Sequence, residues 1–77
     1  MSDRQATYGE IASVLDALPF LLRETRRARR LSQRAAAKQL GCSFSTVCRM
    51  ESGEDCALSN AVAVIRWLDA PPRQETR

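Results

Sequence analysis

The chain contains no histidine, so the commonest general base and the commonest metal ligand are both missing. Its three cysteines, Cys42, Cys48 and Cys56, form no CxxC pair, and with no histidine to complete a zinc set they read as unpaired thiols in a reducing compartment. Cys42 reads as a small buried hydrophobe. No glycine-rich phosphate loop and no paired-carboxylate arrangement stands out. The expectation is therefore no enzyme, no cofactor, no metal and no small-molecule substrate. No apolar run reaches the length of a membrane span, and the start lacks the basic and apolar blocks of a signal peptide. That points to a soluble protein of the cytoplasm with no membrane partner. Internal repeats and the alternation of strands are absent as well.

Acids are scarce in one particular place. Arg23, Arg26, Arg27, Arg29, Arg30, Arg34 and Lys38 fall within sixteen residues that hold one acid, Glu24, although the whole chain of 77 residues carries only +3. A local excess of this kind suits a polyanion, while a solvated helix face is the plain alternative. Seventy-seven residues close one small core, which favours a compact helical bundle over an enzyme with its own cleft.

What is present reads as five helices, an all-α fold. Thr7 and Glu10 make a capping box, and Ile11, Val14, Leu15 and Leu18 follow at helical spacing, which predicts a helix over 8–17 with one apolar stripe. Pro19 suits the first turn of a second helix, 19–29, although one kinked helix through it is the alternative. Ser32 can cap a third helix, 33–40, closed by Gly41 in the left-handed conformation. Ser43 can cap a fourth, 44–52, closed by Gly53. Ser59 can cap a fifth, 60–69, with Val62, Ile65 and Leu68 inward and Trp67 beside them. The domain is expected over 1–70, with 71–77 a polar tail or the start of a linker.

The third and fourth helices are joined by Gly41, Cys42 and Ser43 alone, the short glycine-containing connection of a helix-turn-helix. Small Ala37 allows close approach at their crossing. Val47 and Met50 should turn inward, leaving Phe44, Ser45, Cys48 and Arg49 on the opposite or flanking faces. An apolar Phe44 at the start of an exposed helix either folds back onto the domain or has a use there.

LRETRRARRLSQRAAAKQLGCSFSTVCRMESG resembles the helix-turn-helix signature of the lambda-repressor-like family, also called the Xre family, which includes phage repressors, Cro-type proteins and antitoxins. The likeness runs from about Leu22 to Leu68. It rests on Leu31-Ser32-Gln33, Ala37, Leu40-Gly41, Ser43, Ser45-Thr46-Val47 and Met50-Glu51-Ser52-Gly53 in combination. It implies a sequence-specific, double-stranded-DNA-binding transcriptional regulator, of Cro or repressor type, in a bacterium or a phage-infected host, with helix 44–52 in the major groove.

By the same resemblance, Phe44, Ser45 and Arg49 would reach base edges, with arginine suited to guanine and phenylalanine to the thymine methyl. Gln33, Ser43, Thr46 and Ser52 match phosphate-contacting positions, Arg34 joins them as a phosphate contact, and Gln33 would also brace the recognition helix. Arg26 and Glu51 match a salt bridge that ties the first motif helix to the recognition helix. The chain departs from the pattern at four places. Ala36 is smaller than the usual aliphatic residue, so the N-terminal helix with Ile11, Val14 and Leu15 is the expected source of the missing core volume. Arg30 sits where glycine is frequent, and Glu54 and Asp55 stand where bases are common. The usual C-terminal fifth family helix, which often helps dimerisation, is lacking. A homodimer on DNA would then need another contact, for which the extra N-terminal helix is the candidate. A protein-interaction module of the same fold, antitoxin or antirepressor-like, is the alternative function.

Overall fold

The computed structural model describes residues 6–72; the expected tail beyond Pro72 and the first five residues lie outside the described residues. Five helices follow one another: α1 Tyr8–Asp16, α2 Leu18–Ala28, α3 Gln33–Leu40, α4 Phe44–Glu51 and α5 Leu58–Asp69. Among the described residues there is no strand. The all-helical fold matches the expectation.

Local chemistry explains most of the boundaries. The Thr7 hydroxyl accepts from the Glu10 amide while the Glu10 carboxylate accepts from the Thr7 amide, so two otherwise orphaned donors at the start of α1 are satisfied reciprocally. Ser32 and Ser43 cap α3 and α4 by accepting from the amides of Ala35 and Thr46. Gly41 closes α3 with φ of 79°. At the end of α4 the cap is Ser52, one residue earlier than expected, and Gly53 follows with φ of 91°. The Gly53 amide donates to Met50 and the Glu54 amide to Arg49, the paired closure of a Schellman turn.

Two starts differ from the sequence reading. The chain breaks at Ala17 rather than continuing as a kinked helix, and α2 begins at Leu18, one residue before Pro19. Proline is tolerated there because amides of a first turn have no intrahelical partner. Helix α5 begins at Leu58, before Ser59 can cap it; Ala57 is the cap, in extended geometry, and its carbonyl accepts from the amides of Asn60 and Ala61. Ser59 lies inside the first turn.

The core is a cluster of Leu18, Leu22, Ala37, Val47, Met50, Val64 and Trp67, with Leu31, Leu40, Ile65 and Leu68 partly buried against it. Leu22, Val47 and Val64 are fully buried, and each contributes about 1.5 to 3 kcal/mol by leaving water. The inward residues of α4 are those expected. Those of α5 are expected in part: Ile65 and Leu68 pack against the core and Trp67 is buried beside them, but Val62 is 42% exposed and Val64, not expected inward, is fully buried. Trp67 has the largest apolar surface on the helix, so its face turns inward and Val64, three residues earlier, goes with it.

The N-terminal helix is the larger correction. No residue of α1 is buried, and Ile11, Val14 and Leu15 remain 42–44% exposed, although Leu18 just beyond it enters the core. The helix meets the bundle chiefly through α2. It therefore does not supply the volume that Ala36, itself fully buried, leaves unfilled. Core bulk comes from Trp67 and Val64 on α5.

Between α2 and α3, Arg30 holds φ of 58°, the left-handed conformation that costs a residue with a Cβ about 1 to 2 kcal/mol. The Arg30 amide donates to Arg27 and the Leu31 amide to Arg26, the same closure that Gly53 makes after α4. Glycine is frequent at this position in the resembled family for that steric reason. Replacing Arg30 with glycine relieves the strain and gives back part of the gain as unfolded-state entropy. Arg30→Gly is expected to stabilise the fold by about 0.5 to 1 kcal/mol, read as a higher melting temperature; a lower one would refute the strain.

Candidate nucleic-acid interface

The motif is held by one polar cluster at the junction of α2, α3 and α4. Arg26 on α2 grips Glu51 at the end of α4 through two bonds, Nε to Oε2 at 2.7 Å and Nη2 to Oε1 at 3.1 Å. Its third nitrogen, Nη1, donates to the Leu31 carbonyl at 2.9 Å, tying in the loop that leads to α3. Gln33, the first residue of α3, donates from Nε2 to Glu51 Oε1 at 3.0 Å and accepts from the Cys48 thiol at 3.3 Å. Glu51 is the one buried charged residue among those described. Burial pushes its carboxyl up, but the bonds from Arg26 and Gln33, with the attraction of Arg26 and Arg23, outweigh that and hold it below the ordinary range. The bond to Glu51 is also the main reason the Arg26 guanidinium is held above its usual value.

Helix α4 divides cleanly by face. Val47 and Met50 point into the core, while Phe44, Ser45 and Arg49 are exposed and Cys48 and Thr46 are half-buried. Arg49 lies one turn after Ser45 and borders a cleft with Thr46, Asp55 and Asn60. An acid thus shares the surface expected to meet phosphate. The Ser43 and Thr46 hydroxyls lie 2.9 Å apart, and the Ser52 hydroxyl donates to the Cys48 carbonyl at 2.8 Å. Each of these hydroxyls keeps further hydrogen-bonding capacity for an outside acceptor or donor.

Two arginines are placed where the sequence did not suggest. Arg29, counted in the basic block, reaches back to the end of α5, donating to the carbonyls of Trp67 at 3.2 Å and Ala70 at 2.9 Å, with its guanidinium 4.6 Å from the centre of the Trp67 ring. A cation at a helix carboxyl end meets both unsatisfied carbonyls and the negative end of the dipole. The partners lie 38 and 41 residues away, so no local spacing could announce them. Trp67 also donates from Nε1 to Gln39 Oε1 at 2.8 Å. Arg34, expected at a phosphate, has its guanidinium carbon 4.3 Å from the centre of the Phe44 ring. Phe44 therefore half folds back and half faces solvent, at 37% exposure.

All three cysteines are free, and burial pushes the Cys42 thiol up. Among the described residues no group of three or more His, Cys, Asp or Glu side chains is placed to hold a metal ion, and no helix is long and apolar enough to cross a membrane.

A family model described as a helix-turn-helix domain matches residues 17–77, which take in α2 to α5 and leave α1 outside. No curated protein matches the chain.

The cluster makes two measurable claims. Arg26→Ala strands a buried carboxylate and is expected to cost about 3 kcal/mol, seen as a large drop in melting temperature; an unchanged melting temperature with lost DNA binding would move Arg26 to the interface. Because the folded carboxyl lies below its unfolded value of 4.5, its contribution is complete above that pH and is lost as pH falls through the folded value. The stability gap between wild type and Glu51→Gln should accordingly narrow on acidification below pH 4.5 and stay constant above it.

Proposed function

Because the chain belongs to the helix-turn-helix domain family, we propose that it is a sequence-specific double-stranded-DNA-binding transcriptional regulator of the Xre or Cro/repressor type, from a phage or its bacterial host. The observation that carries this reading is the division of α4. A short, well-capped helix has its apolar row locked inward by Val47 and Met50 and its Phe44, Ser45 and Arg49 row left open. An α-helix of this kind fits the major groove, with its first turn nearest the base edges. Arg49 is the guanine reader, Ser45 a permissive neighbour and Phe44 an apolar contact. Gln33, Ser43, Thr46 and Ser52 are the phosphate contacts, and Arg26 with Glu51 is the structural pair that sets the angle between the motif helices. Arg27, Arg30 and Lys38, all exposed, add sequence-independent attraction.

A second reading, a protein-interaction module, draws on the apolar side chains that α1 leaves in solvent and on Glu54 and Asp55 beside α4. Titration with random duplex at rising salt separates the two readings. Phosphate binding gives an affinity that falls by about 0.9 log units per contact for each log unit of salt, and a salt-independent affinity would count against the DNA reading.

Arg49→Ala tests the base-reading assignment. The expected loss is about 1 to 3 kcal/mol on a preferred site, with a relaxed preference at one base position and a smaller loss on scrambled duplex. Equal losses on both, with a salt slope reduced by about one unit, would make Arg49 a phosphate contact instead.

A further inference from the structure

Arg34 and Phe44 sit on different helices, and the resemblance gave them different tasks, a phosphate for one and a base for the other. The structure places the guanidinium carbon of Arg34 4.3 Å from the centre of the Phe44 ring. Both side chains border one open cleft, with Ala35, Ala37, Lys38 and Cys42 around them. Among the described residues Arg34 makes no hydrogen bond or ion pair, so all of its N–H donors remain available while the ring face restricts where they point. Phe44 is the first residue of the helix proposed to enter the groove, and its ring is still 37% exposed.

We infer that Arg34 and Phe44 act as one composite reader of two adjacent base pairs, a thymine against the ring and a guanine against the guanidinium. The inference rests on the DNA-binding reading and moves Arg34 from the phosphates to the bases. The separation of the two groups is close to the rise between successive base pairs, about 3.4 Å. With the ring against the methyl group of one base, a guanidinium stacked 4.3 Å away is within reach of the next base pair. Thymine presents its 5-methyl group in the major groove, the base feature that suits an apolar ring edge. Guanine presents O6 and N7, the two acceptors that match the fork of an arginine. Stacking supplies what a bare surface arginine lacks: part of its rotamer freedom is already lost before DNA arrives, so less is lost on binding. Lysine could not take the same role, since a point charge on a flexible stem has no planar fork to hold against a ring.

The test uses the full chain and compares modified with unmodified duplexes within each protein, with the melting temperature of each variant checked against wild type, so that a folding defect is not read as a lost contact. Sites selected from random duplex DNA should contain a thymine next to a guanine. Replacing that thymine by deoxyuridine removes only the methyl group and should weaken wild type about fourfold, the worth of one buried methyl group. Replacing the guanine by 7-deazaguanine removes one acceptor of the bidentate pair and should weaken it roughly 5-fold or more. The deoxyuridine effect should vanish in Phe44→Ala and the 7-deazaguanine effect in Arg34→Ala. Phe44→Ala should also blunt the 7-deazaguanine effect, because the platform is gone. If Arg34→Ala weakens selected and scrambled duplexes alike and keeps the full 7-deazaguanine effect, Arg34 is a phosphate contact and the composite reader is overturned with DNA binding intact. If wild type binds no duplex even at low salt, the DNA reading falls and takes this inference with it.

Discussion

A single buried carboxylate organises the motif. Glu51 closes α4, and its two oxygens are taken by Arg26 from α2 and Gln33 from α3, so three helices converge on one group. Burying a carboxylate is costly unless its oxygens have donors, and a donor set drawn from two other helices narrows the arrangements that satisfy it. The pair thus contributes angular definition more than net stability. Val47 and Met50 press the same helix onto the core, but apolar contacts alone tolerate sliding and repacking, whereas a two-pronged guanidinium bond does not. Gln33 and the Cys48 thiol extend the cluster along α4, so the start of α3 is referenced to the middle of α4 as well as to its end.

The basic block looks uniform along the chain and is not uniform in space. Arg26 is spent on Glu51 and the Leu31 carbonyl, and Arg29 on the carboxyl end of α5 and the ring of Trp67. Two charges that would count toward a polyanion surface instead join helices distant in sequence. Arg27, Arg30, Arg34 and Lys38 remain exposed. Arg30 has a further constraint, since it occupies a backbone conformation better suited to glycine, and a charge is kept in solvent there at a cost in strain. Fewer cations are therefore left to solvent than the composition suggests, and Asp55 shares the cleft of Arg49.

Helix α1 illustrates how far periodicity can mislead. Ile11, Val14 and Leu15 recur at the correct spacing and do lie along one stripe, yet none is buried. An amphipathic pattern says that a face is apolar; it does not say that the rest of the chain has a matching surface to offer. Here α2 and α3 each pack against both α4 and α5, and α1 reaches the bundle chiefly through α2. On α5 the same limit appears in another form: Ile65 and Leu68 of the expected stripe pack against the core, but the helix is turned to bury the indole of Trp67 and Val64, which leaves Val62 outside.

What depends on near neighbours was legible in the residues alone: the five helices, the serine caps of α3 and α4, the glycine closures at Gly41 and Gly53, and the inward turn of Val47 and Met50. These are set by hydrogen bonds and side-chain spacing within about one helical turn. The resemblance added one distant pair, Arg26 and Glu51, that spacing could not have supplied. Packing settled the burial of Val64 rather than Val62 on α5, the exposure of α1, the capture of Arg29 by the end of α5, and the stacking of Arg34 on Phe44. Each of these depends on which surfaces meet once the helices are packed, and at separations of ten to forty-one residues nothing local encodes that meeting.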